Sequence, residues 1–217
     1  MKILLFGATG MVGQGVLREA LLDPEIHEVL CVGRASIGEK APKVREIVCA
    51  DLYDLAPIAD RLAGYDACLF CLGVSAAGMS EAQYRKVTLD LTLSVAKALA
   101  SPTLRFLYVS GAGTKGRAMW ARVKGETEDA LLAMPFRSAH MFRPAVIQPL
   151  HGIQSKTRLY RALYTVMAPL TPLLRKAVPR YVTTTELVGR AMLRVAKHGH
   201  EKRVLENDDV NALGAPG

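Results

Sequence analysis

The stretch that decides the fold is Gly7-Ala8-Thr9-Gly10-Met11-Val12-Gly13. It joins an apolar run at Lys2–Phe6, which predicts a buried strand, to a segment of helical spacing at Met11–Leu22. Gly7 lets the chain turn sharply off the strand, Gly10 lets the backbone approach a phosphate closely, and Gly13 lets the helix pack near the strand. The first turn of the helix offers unpaired N–H groups to an anion. We therefore predict that this turn holds a diphosphate, the alternative being a tight strand–helix turn without a ligand.

Outward from this turn, short apolar runs alternate with segments of helical spacing. The other predicted strands are Glu28–Gly33, Val44–Cys49, Ala67–Leu72, Leu104–Ser110, Ala139–Phe142 and Lys202–Glu206. The other predicted helices are Leu55–Leu62, Glu81–Ala100, Arg117–Ala133 and Glu186–Lys197, the last of them capped by Thr185. Strands that alternate with helices indicate a parallel sheet covered on both faces. We predict an α/β fold of three layers, with a doubly wound parallel sheet of six or seven strands.

The length of 217 residues favours a single domain over residues 1–217. Half of the residues are hydrophobic and 22% are charged, which is enough apolar material for a core and argues against disorder. After Pro149 the alternation changes, and residues 156–178 show helical spacing interrupted by two prolines. We predict that residues 150–182 and 206–217 form a small C-terminal extension on the substrate side.

The positive charge is concentrated near the C-terminus. Residues 1–150 carry 17 Lys and Arg against 15 Asp and Glu, and residues 151–217 carry 11 against 5. Such an excess of positive charge favours an anionic partner. Charge alone does not distinguish a nucleotide from a nucleic acid or a membrane surface. Only the charge supports nucleic-acid binding or peripheral membrane contact, so we expect neither. Binding of a protein partner is compatible with the sequence. No apolar stretch of 18 residues predicts a membrane-spanning helix.

The four cysteines predict reduced thiols. Cys31, Cys49, Cys68 and Cys71 lie in or beside predicted strands, and no secretion signal is recognised. Cys68 and Cys71 form a CxxC pattern, but residues i and i+3 of a strand point to opposite faces. No second Cys or His pair stands at zinc spacing. We predict no metal site and a cytoplasmic location.

Several short motifs carry a family resemblance over about residues 1–145. The motifs are the GxxGxxG turn, Val32-Gly33-Arg34, Cys71-Leu72-Gly73, Val109-Ser110, Lys124-Gly125-Glu126 and Arg143-Pro144. In these motifs the chain resembles the atypical, epimerase-like branch of the short-chain dehydrogenase/reductase superfamily. It is similar there to NAD-dependent epimerase/dehydratase-like proteins and to small NAD(P)-binding proteins of the Tat-interacting type. The resemblance implies a Rossmann fold that binds a pyridine dinucleotide.

Arg34 favours NADP(H) over NAD(H). It stands 21 residues beyond Gly13, where the usual pattern has an acid for the ribose hydroxyls. A guanidinium pairs with a 2′-phosphate that a carboxylate would repel, although an ordinary exposed arginine is the alternative. Asp51 resembles a residue that accepts a hydrogen bond from adenine, or it caps the turn that follows it. With the resemblance, the predicted cofactor-binding residues are Gly7, Thr9, Gly10, Met11, Val12, Gly13, Arg34, Asp51, Leu52, Leu72, Gly73, Val74, Ser110, Lys124, Arg143 and Pro144.

The catalytic pattern of the resembled family is present only in part. The resemblance implies a serine after the fifth strand and a Tyr-x-x-x-Lys helix, which Ser110 and Lys124 match as predicted catalytic residues. The tyrosine position holds Trp120, the only tryptophan, whose indole N–H does not titrate near neutral pH.

Two hypotheses follow from this departure. The first is an NADP(H)-dependent oxidoreductase, or an epimerase-like enzyme, in which hydride passes to a small carbonyl substrate and a group other than residue 120 gives the proton. The candidates for that group among the later tyrosines are Tyr160, Tyr164 and Tyr181. The second is a non-catalytic NADP(H)-dependent sensor or protein-interaction module. The substrate itself stays unidentified.

Overall fold

The computed structural model of the chain describes residues 1–154 and 179–216. Its strands are β1 (Lys2–Phe6), β2 (Glu28–Gly33), β3 (Val44–Val48), β4 (Ala67–Phe70), β5 (Arg105–Val109), β6 (Ser138–Arg143), β7 (Val146–Gln148), β8 (Val182–Thr184) and β9 (Val204–Glu206). Its α-helices are α1 (Met11–Leu22), α2 (Ala59–Leu62), α3 (Glu81–Arg85), α4 (Leu91–Leu99), α5 (Met119–Leu132), α6 (Thr185–His198) and α7 (Asn207–Gly214). Short 3-10 turns cover Ala56–Ile58 and Pro179–Tyr181, and a π-helical turn covers Lys86–Asp90.

Within the described residues the central sheet has seven strands in the order β3-β2-β1-β4-β5-β6-β9, and each neighbouring pair is parallel. The chain builds outward from β1 through β2 to β3 and then crosses back, so that β4 lies on the other side of β1. This reversal of direction leaves a crevice outside the carboxyl ends of β1 and β4, which is where ligands bind in open α/β sheets. The doubly wound parallel sheet predicted from the sequence is confirmed.

Both faces of the sheet are buried under helices. Along β1 the side chains alternate, with Ile3 and Leu5 in one core and Leu4 and Phe6 in the other, and all four are fully buried. The first core also receives apolar side chains from α1, α6 and α7, and the second from α2, α4 and α5. Burial on both faces explains why the strands are almost continuously apolar. The three predicted layers are therefore present.

A second, two-stranded parallel sheet, β7 with β8, lies outside the predicted elements. The buried Asn207 at the start of α7 ties these strands to the main sheet. Its Oδ1 accepts a hydrogen bond of 2.8 Å from the Ala145 N–H, and its Nδ2 donates to the Val182 carbonyl over 3.4 Å. Asn211, one turn further on, donates to the same carbonyl over 3.0 Å. Helix α7 thus fixes the two segments that flank the outer part of the crevice.

The predicted boundaries differ from the structure where tertiary contacts intervene. The single helix expected over Glu81–Ala100 is interrupted by the π-helical turn at Lys86–Asp90. The helix expected to follow Thr185 is capped instead by Thr184, whose Oγ1 accepts from the Leu187 N–H over 3.0 Å. The Thr185 hydroxyl instead accepts a hydrogen bond from the Leu150 N–H. Threonine occupies positions 183–185, so the sequence does not show which of the three caps the helix, and tertiary contacts determine it.

The four cysteines are free thiols. Cys68 contributes to one core and Cys71 packs against the other, so their thiols diverge as the strand geometry predicts. In the part of the chain that the structure describes, no helix combines the length and the apolar character needed to span a membrane. The helical spacing noted at residues 156–178 lies outside the described residues.

Candidate functional site

A cleft of about 900 Å³ opens at the carboxyl ends of β1, β2, β4, β5 and β6. This volume is near the upper end of the roughly 300–1,000 Å³ of small-molecule sites. The cleft lies at the strand-order reversal, where an open α/β sheet binds its ligands. Most residues predicted from the sequence to bind a cofactor line it, namely Gly7, Thr9, Gly10, Met11, Val12, Arg34, Leu72, Gly73, Val74, Ser110, Lys124 and Pro144.

The glycine turn has the geometry that its sequence predicts. Gly7 has a φ of +86°, a left-handed conformation that side-chain-bearing residues rarely adopt. A Cβ at Gly7 would also lie 2.7 Å from the backbone carbon of Cys71, so the chain after β4 packs directly on the turn. At Gly13 a Cβ would lie 2.1 Å from the Gly7 carbonyl oxygen. Gly13 therefore sets the approach of α1 to β1 and does not itself line the cleft.

The start of α1 is open to an anion. Gly10 is the N-cap, no side chain caps the helix, and its first turn contains no acidic residue. The first amides of a helix have no partner within the helix, and Met11 and Val12 lie on the cleft wall. A Cβ at Gly10 would meet a single atom, the Gly7 oxygen at 3.3 Å, so the space beyond it belongs to the cleft. A diphosphate fits this cradle because unpaired N–H groups and a bare backbone face it.

Arg34 and Lys124 are the charged side chains among the described lining residues. Arg34 is exposed and follows β2, at the end of the cleft beyond the glycine turn. Lys124 projects from α5 toward the carboxyl end of β5 and is half-buried. The two cations are therefore held at different strands of the sheet, with the glycine turn between them.

Lys124 is held by backbone carbonyls. Its Nζ donates to the Ser110 oxygen over 2.9 Å and, more weakly, to the Val109 oxygen over 3.4 Å, and it lies 5.4 Å from the centre of the Tyr108 ring. Burial lowers the pKa of Lys124 to about 8, and the carboxylate of Glu128 partly opposes this. An ammonium has three donors, so one remains for a ligand once these two carbonyls are counted. A lysine with this pKa is mostly protonated at neutral pH and still gives up its proton readily.

Ser110 belongs to a small hydroxyl network. Its Oγ is 3.0 Å from the Thr114 Oγ1, and the Thr114 hydroxyl donates to the Gly111 carbonyl over 2.7 Å. Because the single Thr114 proton is used on Gly111, the Ser110 hydroxyl donates to Thr114. The lone pairs of the Ser110 Oγ then stay available toward the cleft, which Ser110 lines.

Trp120 lines the cleft one helical turn before Lys124 on α5. The ring packs beside Gly113, where a Cβ would lie 3.4 Å from the indole Cη2. A large apolar ring therefore occupies the place that the sequence resemblance gives to a phenol. The indole presents a donor and an apolar face but no group that exchanges a proton near neutral pH.

Asp51 and Leu52 are not among the described residues that line the cleft. The Asp51 Oδ1 accepts a hydrogen bond from the Tyr53 N–H over 2.8 Å, so this carboxylate caps the turn after β3. Leu52 is buried in the core beneath the sheet. The sequence allows two interpretations of Asp51, a contact with adenine and a cap of the following turn. The observed hydrogen bond is that of the turn cap.

Arg143 is also directed away from the cleft, whereas the adjoining Pro144 lines it. Its Nε and Nη2 donate to both oxygens of Glu128, over 3.0 and 2.5 Å, and its Nη1 donates to Glu206 over 2.8 Å. Glu128 is completely buried, and its bonds to Arg143 raise the pKa of that guanidinium. Arg143 therefore has a structural role, because it neutralises the buried carboxylate of Glu128 and links β6 to β9.

Sequence reasoning missed part of the cleft wall. Tyr84 from α3 lines it, and so do Ala145, Val146 and Ile147 around β7. Tyr181, which the sequence left without a place, lies at the cleft as well, while Tyr160 and Tyr164 lie outside the described residues. The sequence signal was weak, because β7 is three residues long and its strand partner is distant in sequence.

The described residues contain no group of three or more His, Cys, Asp or Glu side chains placed to hold a metal ion. His140 is buried with both ring nitrogens in hydrogen bonds, to the Lys202 carbonyl and the Ser138 hydroxyl, each 3.1 Å long. Burial lowers the pKa of His140 to about 4, so the ring is neutral at ordinary pH. Its contacts are those of a core residue and lie away from the cleft.

A family model described as "NAD dependent epimerase/dehydratase family" matches residues 3–144. A curated relative from Eremothecium gossypii, "Protein FMP52, mitochondrial", is 33% identical over 152 residues, which cover 68% of this chain and 66% of that protein. "Protein fmp52-2, mitochondrial" from Aspergillus terreus is 25% identical over 224 residues, covering 97% of this chain and 95% of that protein. The identity thus extends beyond the family-model region.

Solved structures share the fold at low sequence identity. A UDP-glucuronic acid 4-epimerase from Bacillus cereus in complex with NAD has a TM-score of 0.68 and 14% identity, covering 94% of this chain and 76% of that one. A short-chain dehydrogenase/reductase from Saccharomyces cerevisiae has a TM-score of 0.67 and 12% identity, covering 98% of this chain and 97% of that one. These likenesses show a Rossmann fold.

The cytoplasmic location predicted from the sequence is wrong by these comparisons. Curated relatives from Eremothecium gossypii, Emericella nidulans and Saccharomyces cerevisiae, at 33, 31 and 29% identity, are named as mitochondrial proteins. The prediction rested mainly on reduced cysteines. Free thiols indicate a reducing compartment and do not distinguish one such compartment from another.

Proposed function

Because the chain belongs to the NAD dependent epimerase/dehydratase family, we propose that it is an NADP(H)-dependent oxidoreductase that reduces a small carbonyl compound. The observation that carries the proposal is the placement of two features in one cleft. The open helix start at Gly10 lies at one strand end, and Lys124 with Ser110 lies two strands away. The first feature seats a diphosphate, and the second supplies hydrogen-bonding and proton-transfer groups where the opposite end of a dinucleotide would lie.

Arg34 supports NADP(H) as the preferred cofactor. It is exposed at the β2 end of the cleft and forms no ion pair with another described residue, so its guanidinium is available to a ligand. A 2′-phosphate carries about two negative charges on its terminal oxygens, and the planar fork of a guanidinium can donate to two of these oxygens at once. No described acidic side chain lines the cleft to favour the ribose hydroxyls of NAD instead.

Lys124 is the group that we assign to proton transfer. A dinucleotide held by the glycine turn and Arg34 would supply a hydride to a carbonyl carbon when reduced, and the carbonyl oxygen would then need one proton to give the alcohol. Trp120 has no titratable proton, whereas Lys124 is an ammonium whose pKa is lowered to about 8. Its remaining N–H is the donor for the substrate oxygen, and the carbonyls of Ser110 and Val109 hold the side chain in position.

A second candidate function is that of an NADP(H)-dependent sensor without turnover. Trp120 is the observation that favours it, because the phenol position of the family's helix holds a ring that does not transfer protons. In that case the cleft binds the dinucleotide through the same turn, and the protein reports cofactor state to a partner.

NADPH titration and turnover together test the proposal. We expect saturable quenching or enhancement of NADPH fluorescence, and NADPH oxidation with members of a panel of aldehydes, ketones and quinones. Lys124→Met is expected to lower turnover by at least roughly 100-fold, the usual contribution of a general acid. Lys115→Met is the matched control, since Lys115 is half-exposed and paired with Asp129 on the surface. Binding without oxidation of any panel member supports the sensor, and absence of NADPH binding refutes both functions.

A further inference from the structure

The outer part of the cleft, beyond Ser110 toward β7 and β8, differs chemically from the part around the glycine turn. We propose that this outer part binds the apolar body of an uncharged aromatic or aliphatic carbonyl compound, and that it excludes charged and nucleotide-linked substrates. The inference rests on the proposed function, because it names the substrate class of the same cleft.

Apolar side chains are unusually exposed at this end of the cleft. Val146 and Tyr181 remain 55% and 52% exposed, and Val74, which lines the same cleft after β4, remains 48% exposed. All three line the cleft, as do Trp120 and Ile147. Exposed apolar surface that converges on one concave site indicates an apolar ligand, since its burial is favourable in proportion to area.

Among the described residues, this outer part offers a charged substrate one cation, Lys124. Among the described lining residues the charged side chains are Arg34 and Lys124, and Arg34 stands at the far end, after β2. Lys124 is directed to the backbone carbonyls of β5 and supplies a single point of contact for a substrate oxygen. A diphosphate or carboxylate placed against Val146 and Tyr181 would lose hydration to apolar surface, which is costly.

The apolar wall is held rigidly, as a specific site requires. Asn207 binds the backbone at both Ala145 and Val182, so the segments bearing Val146 and Tyr181 are fixed relative to each other. The guanidinium of Arg180 stacks on the Tyr181 ring at 4.8 Å from its centre, and Arg180 itself does not line the cleft. The segments bearing Val146 and Tyr181 therefore hold their apolar side chains in fixed positions at the cleft.

Ligand affinity is measured by quenching of the fluorescence of Trp120, the only tryptophan of the chain, which lies in the cleft. The probes are acetophenone, 2-acetylnaphthalene, 4-acetylbenzoate and UDP-glucuronic acid, each titrated with and without saturating NADP⁺. We expect acetophenone to bind at least tenfold more tightly than 4-acetylbenzoate, which differs from it by one carboxylate. The larger 2-acetylnaphthalene is expected to bind more tightly still, because it buries more apolar surface.

Val146→Lys tests whether this wall sets the charge preference. It is expected to reduce the affinity ratio of acetophenone to 4-acetylbenzoate by at least tenfold. Val48→Lys is the matched control, because Val48 is a similarly exposed valine, at 58%, that is not among the described lining residues. The control is expected to keep the ratio of the unmodified protein. Thermal melting of both variants checks that the exposed substitutions leave the fold intact.

Three results would overturn the proposal. They are binding of 4-acetylbenzoate or UDP-glucuronic acid as tight as that of acetophenone, no measurable binding of either neutral ketone, and an equal change of ratio in the two lysine variants. Failure of the proposed function is distinguishable from these results. The proposed function is tested by NADPH titration and turnover, whereas the ketone affinities are measured by quenching of Trp120 fluorescence without any reaction.

Discussion

Replacing Gly10 by alanine is the sharpest test of the diphosphate cradle. The backbone of Gly10, with φ −85° and ψ 164°, is extended, so alanine adopts it without strain. The added Cβ would meet the Gly7 oxygen at 3.3 Å and otherwise extend into the cleft. The substitution therefore changes the surface that faces a ligand and leaves the packing of α1 on β1 almost unchanged.

The effect of Gly10→Ala on stability is expected to be small. Alanine is a poorer N-cap than glycine by about 1 kcal/mol, and this loss is offset by about 0.4–1 kcal/mol from the less flexible unfolded chain. The melting temperature is then expected to change by no more than about 2–4 °C. In binding, the methyl group holds a phosphate away from the amides at the start of α1. Loss of one charge-assisted hydrogen bond, at about 1.5–3 kcal/mol, weakens dinucleotide affinity by roughly 10- to 150-fold.

Gly13→Ala is the companion variant with the opposite expectation. Its Cβ would lie 2.1 Å from the Gly7 oxygen and 2.6 Å from the Gly7 carbonyl carbon, both of them backbone atoms. Alanine gains about 1 kcal/mol in helix propensity, but overpacking against backbone costs typically 1–3 kcal/mol or more, so the protein is expected to lose stability.

Calorimetric titration with NADPH and NADH, beside thermal melts, separates the two glycine variants. Gly10→Ala is expected to melt like the unmodified protein and to bind weakly, and Gly13→Ala is expected to melt at a lower temperature. If Gly10→Ala kept both affinities within twofold while folding normally, the diphosphate would not sit on this turn, and the cofactor assignment would be refuted.

Three further predictions concern the cofactor preference, the helix position and a buried histidine. Arg34→Glu is expected to weaken NADPH binding at least tenfold more than NADH binding in paired fluorescence titrations; an unchanged preference contradicts a 2′-phosphate contact. Trp120→Tyr is expected to raise carbonyl reduction at least tenfold in steady-state assays, because it places a phenol one turn before Lys124, and an unchanged rate at unchanged NADPH affinity contradicts that placement. His140, whose pKa burial lowers from 6.5 to about 4, binds its proton more readily in the unfolded chain. Stability is therefore expected to fall by up to about 3 kcal/mol as the pH drops from 6.5 to 4, and urea unfolding of His140→Asn should show a shallower fall.

Features of the fold that depend on neighbouring residues are predictable from the sequence. The strand, turn and helix from Lys2 to Leu22 follow from local periodicity and from glycines at positions where a Cβ would clash. That Trp120 and Lys124 share one face of α5 follows from their spacing, because four residues make about one helical turn. The parallel sheet also followed, since its strands are apolar on both faces and alternate with helices.

Tertiary structure alone decided which distant groups meet. The sequence predicts Arg143 as a cofactor residue beside Pro144, yet its donors are used by Glu128 and by Glu206, the latter 63 positions away. Asp51 had two possible partners in the sequence, and the chain after β3 turns so that its carboxylate caps Tyr53. The apolar wall at β7 and β8 exists only because segments more than thirty residues apart pair as strands. Such choices depend on contacts between remote parts of the chain, about which local propensity and spacing carry no information.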